Sequence, residues 1–270
     1  MYDVAVVGAS VAGSAVATAL ARMGLRVVAL EKRAAGSRKA CGEGLFPAGV
    51  RALAGVLGGE VPDGAAISGV RFHAGGHIAT GHFRGGEGLG IDRGALDVAL
   101  RRAAACAGAE IREGVTVTGL AVADGRVRAV ETNCGRVEAR AFVAADGLGS
   151  RLRRLSGLDV PGIGRRYGVT AHIGADGPTA GFVDVVVDRD HELYVTPIGQ
   201  GRWNVAVLTD REGMAALAGD LRGGFEALLA RHARELAPRA ALADAPLAAG
   251  PFPRGCRRTW RGNLVLAGDA

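Results

Sequence analysis

The stretch Tyr2-Asp3-Val4-Ala5-Val6-Val7-Gly8-Ala9-Ser10-Val11-Ala12-Gly13, continued to Met23 and closed by Arg26-Val27-Val28-Ala29-Leu30-Glu31, decides the reading of the chain. Its apolar opening is the mark of a strand buried on both faces, and hence of a parallel sheet. Val11 to Met23 is alanine-rich and helix-forming, and Arg26 to Leu30 is a second apolar strand. Between them, Gly8 to Gly13 follows the pattern G-x-G-x-x-G with serine at the second glycine position. The first glycine permits the tight bend, the third lets helix and strand approach, and the helix N-terminal amides face a pyrophosphate. Ser10 keeps the middle position small and adds a hydroxyl able to donate to phosphate. Glu31, ending the second strand, stands where an acidic residue meets a ribose hydroxyl pair. Gly8, Ser10, Val11, Ala12, Gly13 and Glu31 are thus expected to hold a nucleotide.

The rest of the composition narrows the setting. With 270 residues, 49% of them apolar, the chain can bury a large core. The net charge of +6 invites a nucleic-acid reading, but the basic residues are scattered and aromatics make up 4%, too few for a stacking platform. Nucleic acid is therefore not expected as a partner. Met1-Tyr2-Asp3 leads directly into the apolar run with no basic leader, and no apolar stretch reaches the roughly 18 residues of a membrane span. A cytoplasmic protein is expected, with peripheral membrane contact left open. Cys41, Cys106, Cys134 and Cys256 show no metal-ligand or disulfide spacing, so no metal site is expected.

Downstream, Asp92 reads as an N-cap for a helix whose stripe Leu96, Ala99, Leu100, Ala103 and Ala107 faces the sheet. Gly114 to Val122, Arg126 to Thr132 and Arg136 to Phe142 alternate and are separated by turns, as in an antiparallel meander. Tyr167 to Ile173, Gly181 to Val187, Glu192 to Thr196 and Trp203 to Leu208 read as a second sheet. Leu217 to Leu236 carries a helical period, and Asn263 to Ala267 is a final strand.

Three further segments carry a family resemblance. Ala145-Asp146-Gly147-Leu148-Gly149-Ser150-Arg151 resembles the D-G motif of flavin hydroxylases, and Gly262 to Ala270, ending Gly268-Asp269-Ala270, resembles their G-D motif. Asp92-Arg93-Gly94-Ala95-Leu96-Asp97 is similar to the family's R-x-x-L-D helix start, and Lys39-Ala40-Cys41-Gly42-Glu43-Gly44-Leu45 resembles the K-x-C-G-G-G-L loop of geranylgeranyl reductases. The segments occur in family order. The chain is thus similar to the group A flavin monooxygenase and geranylgeranyl reductase superfamily. The resemblance implies an α/β fold: a Rossmann-type FAD-binding domain with a β-meander (1-70, 90-160 and 256-270), interleaved with a second β-sheet substrate domain (71-89 and 161-255). It implies FAD as cofactor, with Lys32, Lys39, Gly42, Arg93, Asp146, Gly268 and Asp269 joining the nucleotide residues. It also implies NADH or NADPH as electron donor, and Cys41 beside the flavin as the candidate catalytic residue.

For activity, the leading expectation is an NAD(P)H-dependent monooxygenase acting on a small organic substrate through a flavin hydroperoxide. The alternative is an FAD-dependent reductase of isoprenoid double bonds, favoured by the Cys41 loop. Tyr194-Val195-Thr196-Pro197 lacks the tryptophans of the reductase and halogenase signatures, and Trp203 and Trp260 lie elsewhere. His172 and His191 are the histidines best placed for the substrate pocket. A third reading is an inactive or incomplete flavin-binding module: family members continue past G-D-A into a segment covering the flavin, which predicts that this sequence is a fragment.

Overall fold

The computed structural model describes residues 1–160, 162, 165–174, 181–232 and 242–270. The chain opens with β1 (Tyr2–Val7), α1 (Val11–Arg22) and β2 (Val27–Glu31). β1 and β2 pair in parallel, Val4 opposite Val27 and Val7 opposite Leu30. Alternation divides their side chains between two cores: Ala5, Val7, Val28 and Leu30 point to one face, and Val4, Val6, Val27 and Ala29 to the other, against α1. Both faces are covered, which is why the strands carry no polar alternation.

A short strand β3 (Gly44–Leu45), helix α2 (Pro47–Leu57), strand β4 (Ala65–Ile67), the hairpin β5 (Gly69–Ala74) and β6 (His77–His82), and β7 (Gly88–Gly90) lead to α3 (Arg93–Cys106). β3, β7 and β4 form a small sheet of their own. After β8 (Glu110–Glu113) comes the expected meander, β9 (Val117–Ala123), β10 (Arg126–Thr132) and β11 (Gly135–Ala144). β11 serves two neighbours. Its first residues pair antiparallel with β10, and Ala139 to Ala144 pair in parallel with β1. Val117, Val127, Val130 and Val137 then close one face of the main sheet.

The buried face of α3 differs from the predicted stripe. Leu96, Leu100 and Ala104 are buried, but so are Asp97 and Arg101, while Ala99, Ala103 and Ala107 are half-buried. Asp97 and Arg101 stand at i and i+4 and pair at 2.7 Å, which lets both charges leave water. α3 thereby packs on α1.

α4 (Arg151–Leu155) and β12 (Asp159–Val160) precede the second sheet, whose central strands are β13 (Arg166–Ile173), β14 (Phe182–Val187), β15 (His191–Gly199) and β16 (Arg202–Thr209). Helices α5 (Arg211–Ala218) and α6 (Leu221–Arg231) follow, then β17 (Leu247–Phe252), β18 (Gly255–Cys256), β19 (Trp260–Arg261) and β20 (Leu264–Leu266). The seven-stranded order is β17-β13-β16-β15-β14-β5-β6. The predicted helix over Leu217 to Leu236 is instead broken at Gly219-Asp220, because the Asp220 carboxylate accepts from Gly223 N and starts a new helix; residues 233–236 lie outside the described part. Leu217, Phe225 and Leu229 pack on one face of this sheet, against Val169, Ala171, Leu193, Val195, Val205 and Val207. Its other face, carrying Thr170, Tyr194 and Thr196, looks toward the loop of residues 40–46. No helix among the described residues is long and apolar enough to cross a membrane.

Candidate active site

The turn between β1 and α1 leaves no room for side chains. Gly8 lies at φ +94°, and a Cβ there would fall 2.2 Å from the Ala145 carbonyl oxygen. A Cβ on Gly13 would fall 1.7 Å from the Gly8 carbonyl oxygen. At the start of α1, Ser10 makes no side-chain cap bond, whereas Asp92, Ser150, Asp210 and Asp220 cap α3, α4, α5 and α6. The first-turn amides of Val11, Ala12 and Gly13 are thus left for an anion from outside the helix. The Ser10 hydroxyl donates to Asp97 Oδ1 at 3.0 Å and accepts from Arg93 Nη2, which fixes it to the start of α3.

Behind the turn sits a charge cluster that the sequence did not reveal. Asp97 meets Arg101 Nη2 at 2.7 Å, Arg93 Nη1 at 3.5 Å and Lys39 Nζ at 3.6 Å. Glu31 is buried and accepts from Ala9 N at 3.0 Å and Arg33 N at 3.1 Å. Arg101 donates to the Ala9 and Arg33 carbonyls and to Glu113 Oε1, tying the turn to α3 and β8. Burial lowers the Lys39 pKa, and the Asp97 and Glu31 charges only partly restore it. Lys32 lies exposed outside this cluster. Arg93 Nη1 is buried without a hydrogen-bond partner. A buried guanidinium nitrogen that faces the Asp97 charge but makes no hydrogen bond, an uncapped helix and a side-chain-free turn together fit the pyrophosphate of a dinucleotide.

The D-G and G-D segments meet at the same end of the sheet. Asp146 Oδ2 accepts from Arg151 N at 2.7 Å and Leu152 N at 3.3 Å, so its carboxylate clamps the start of α4. The buried Arg153 donates to Asp159 Oδ1, to the Leu148 carbonyl and, at 3.1 Å, to the Asp269 carbonyl, drawing the two motifs together. Gly268, at φ +66°, lies against α1: a Cβ on it would stand 2.8 Å from Ala12 Cβ. The Asp269 carboxylate remains exposed beside that helix start.

The Cys41 loop links the start of α3 to the second sheet. Glu43 adopts φ +57°, a backbone state that suits the glycine of the family pattern and costs other residues about 1–2 kcal/mol. It is held there by burial and two contacts: Oε1 accepts from Arg93 N at 2.9 Å, and Oε2 lies 2.8 Å from His172 Nε2. His172 Nδ1 lies 2.8 Å from Asp244 Oδ2. Burial opposes a charge on His172, but the Glu43 hydrogen bond and the Glu43, Asp244 and Asp92 carboxylates outweigh it and raise its pKa. His172 therefore clamps the loop, and it is absent from the cavity wall. Asn204 Nδ2 donates to the Cys41 carbonyl at 2.9 Å and steadies the loop from β16.

Cys41 and Gly42 close one end of a cavity of 540 Å³ between the loop and the second sheet. Its walls are apolar: Leu45, Ile67, Val70, Phe83, Val183 and Val185. Phe46 and Phe72, 65% and 48% exposed, stand at its open side. The even-numbered residues Thr170, Tyr194 and Thr196 face this cavity. Burial and the Glu192 hydrogen bond push the Tyr194 pKa up to about 12. His191 has the opposite parity, sharing its face with Leu193 and Val195, so the strand period turns it away from the cavity where the sequence had placed it.

A nucleotide turn on a parallel sheet, joined with an apolar cavity beneath a second sheet, defines a dinucleotide-binding protein. A profile of FAD dependent oxidoreductases matches residues 63–268, and the chain belongs to that family. It is 30% identical over 287 residues to digeranylgeranylglycerophospholipid reductase 2 of Methanopyrus kandleri, covering 100% of this chain and 70% of that protein. The corresponding reductase of Methanosarcina acetivorans is 26% identical over 307 residues, covering 100% and 69%, and that of Methanosarcina mazei is 33% identical over 174 residues, covering 58% and 40%. The chain thus spans 40% to 70% of the length of these relatives. A flavoprotein/dehydrogenase from Cytophaga hutchinsonii superposes with a TM-score of 0.86 at 25% identity, covering 99% of this chain and 71% of that one. A geranylgeranyl bacteriochlorophyll reductase-like protein from Thermoplasma acidophilum superposes with a TM-score of 0.83 at 22% identity, covering 99% and 70%, and shares the fold.

Proposed function

We propose that the protein is an FAD-dependent reductase that saturates isoprenoid double bonds carried on a lipid. The observation that carries this reading is the apolar cavity leading to the Cys41 loop, whose walls suit a prenyl chain and offer few polar groups to orient a small aromatic substrate. The relatives' names point the same way, and the monooxygenase expectation gives place to the reductase alternative.

On this proposal Val11, Ala12 and Gly13 present amides to the FAD pyrophosphate beside the side-chain-free bend at Gly8, whose own amide is held by the Leu30 carbonyl, Arg93 adds its guanidinium, and Glu31 faces the adenosine ribose. Ser10 supports the turn through Asp97. Gly268, Asp269 and the Asp146 turn flank the flavin side, with Lys39 and Gly42 along the loop; Lys32 contributes from the surface. Bound FAD, once reduced, supplies hydride chemistry, with NADH or NADPH as the proposed electron source. The Cys41 thiol, on the cavity wall, supplies the proton that completes saturation. Phe46 and Phe72 favour entry of a lipid at a membrane surface. Residues 1-70, 90-160 and 256-270 form the FAD-binding part and 71-89 with 161-255 the substrate part.

The test is an anaerobic reaction of the reduced flavoprotein with a digeranylgeranyl ether phospholipid, read by mass spectrometry. Stepwise gain of hydrogen pairs is expected. An oxygen-dependent hydroxylated product would sink the proposal.

A further inference from the structure

Across the second sheet from the cavity, His191 at the start of β15 meets His232, which follows α6. Both imidazoles are buried, 5% and 6% exposed, and their Nε2 atoms lie 2.9 Å apart with the rings at 66°. Asp188, between β14 and β15, places Oδ2 3.8 Å from His232 Nε2. These ligand atoms all lie within 4.8 Å of one another. Behind His191, Asp190 Oδ1 stands 2.8 Å from Nδ1. A carboxylate there keeps the proton on Nδ1 and leaves the Nε2 lone pair directed at the cluster, which is how metal-binding histidines are held by their outer partners.

From this geometry we infer that Asp188, His191 and His232 form a zinc(II) site with water as the fourth ligand, fastening the β14–β15 turn to the end of α6. Two imidazole nitrogens and a carboxylate oxygen are a ligand set for zinc among the divalent ions. Zinc–nitrogen bonds of about 2.0–2.1 Å in tetrahedral geometry separate two ligand nitrogens by roughly 3.3 Å. The histidine pair opens by only a few tenths of an ångström to accept the ion. Asp188 is partly exposed, so its carboxylate can close on the ion from the solvent side, where ion and water enter. His191 and His232 are 41 residues apart in the chain, a spacing that no compact metal motif has. The site is separate from the flavin cradle, and zinc bound to the folded state alone raises stability.

The experiment uses the chelator-stripped flavoprotein, titrated with zinc chloride against a chromophoric competitor, with thermal melting followed in parallel. One equivalent is expected to bind tightly and raise Tm. Asp188→Asn, on an exposed turn and safe for folding, and His191→Ala are each expected to weaken zinc at least about tenfold and to abolish the Tm gain, and Asp190→Asn to weaken it about tenfold. Flavin content and zinc-free turnover of Asp188→Asn should match the parent. No zinc uptake by the parent, or equal uptake by Asp188→Asn and His191→Ala, would overturn the assignment and leave a hydrogen-bonded histidine pair.

Discussion

Glu43 Oε2 and His172 Nε2, 129 residues apart in sequence, meet at 2.8 Å and join the Cys41 loop to the second sheet. The same carboxylate also receives the Arg93 amide at the start of α3. One buried side chain therefore sets the relative position of nucleotide cradle, loop and cavity wall. Removing His172 strands Glu43 in a dry site, and breaking a buried pair of this kind costs about 3–5 kcal/mol. His172→Ala is expected to lower the urea midpoint accordingly. A midpoint within experimental error of the parent would show that the contact holds nothing together.

The pair also carries a pH dependence. The His172 pKa is raised above 6.5 in the folded protein, so the stabilisation from its charge is complete below the unfolded value and is lost as pH rises through the folded one. Parent stability should fall as pH rises past about 6.5 and through the raised folded value, and His172→Gln should flatten that fall. Parallel curves for both proteins would refute the assignment.

Gly13 tests the cradle. Even one methyl there collides with the Gly8 carbonyl, and overpacking of a tight contact costs about 1–3 kcal/mol. Gly13→Ala is expected to purify with little flavin and a lowered Tm. A fully yellow Gly13→Ala protein would count against the pyrophosphate site.

Arg93 offers a gentler probe, because its buried Nη1 makes no hydrogen bond among the described residues. Losing a charged hydrogen bond of about 1.5–3 kcal/mol corresponds to about 10- to 100-fold in affinity. Arg93→Met is expected to weaken FAD within that range in a fluorescence titration. Unchanged FAD binding would confine Arg93 to the Asp97 cluster.

The cavity can be filled without touching the cradle. Val183→Phe adds a ring to the apolar wall and is expected to cut turnover of a prenyl lipid by about tenfold or more while flavin content stays at the parent level. Equal turnover would place the substrate elsewhere.

What the sequence determined by itself is the unit from β1 through α1 to β2. Its strands, turn and helix follow one another in the chain, each residue's role is set by local conformation, and the burial of both sheet faces is written into Val4 to Val7 and Val27 to Leu30. The meander was legible for the same reason, since hairpin partners are neighbours in sequence. Tertiary structure alone decided the rest of the site. Asp97 and Arg101 look like solvated helix charges until α1 packs over them, and Glu43 looks like a lapse from a glycine pattern until His172 and Arg93 arrive to hold it. His191 changed faces for a related reason: the strand period fixes which residues share a side, but only the packing of α5 and α6 fixes which side is dry. Charges and polar groups gain their function from partners brought together by folding, and a sequence states their identity without stating their distance.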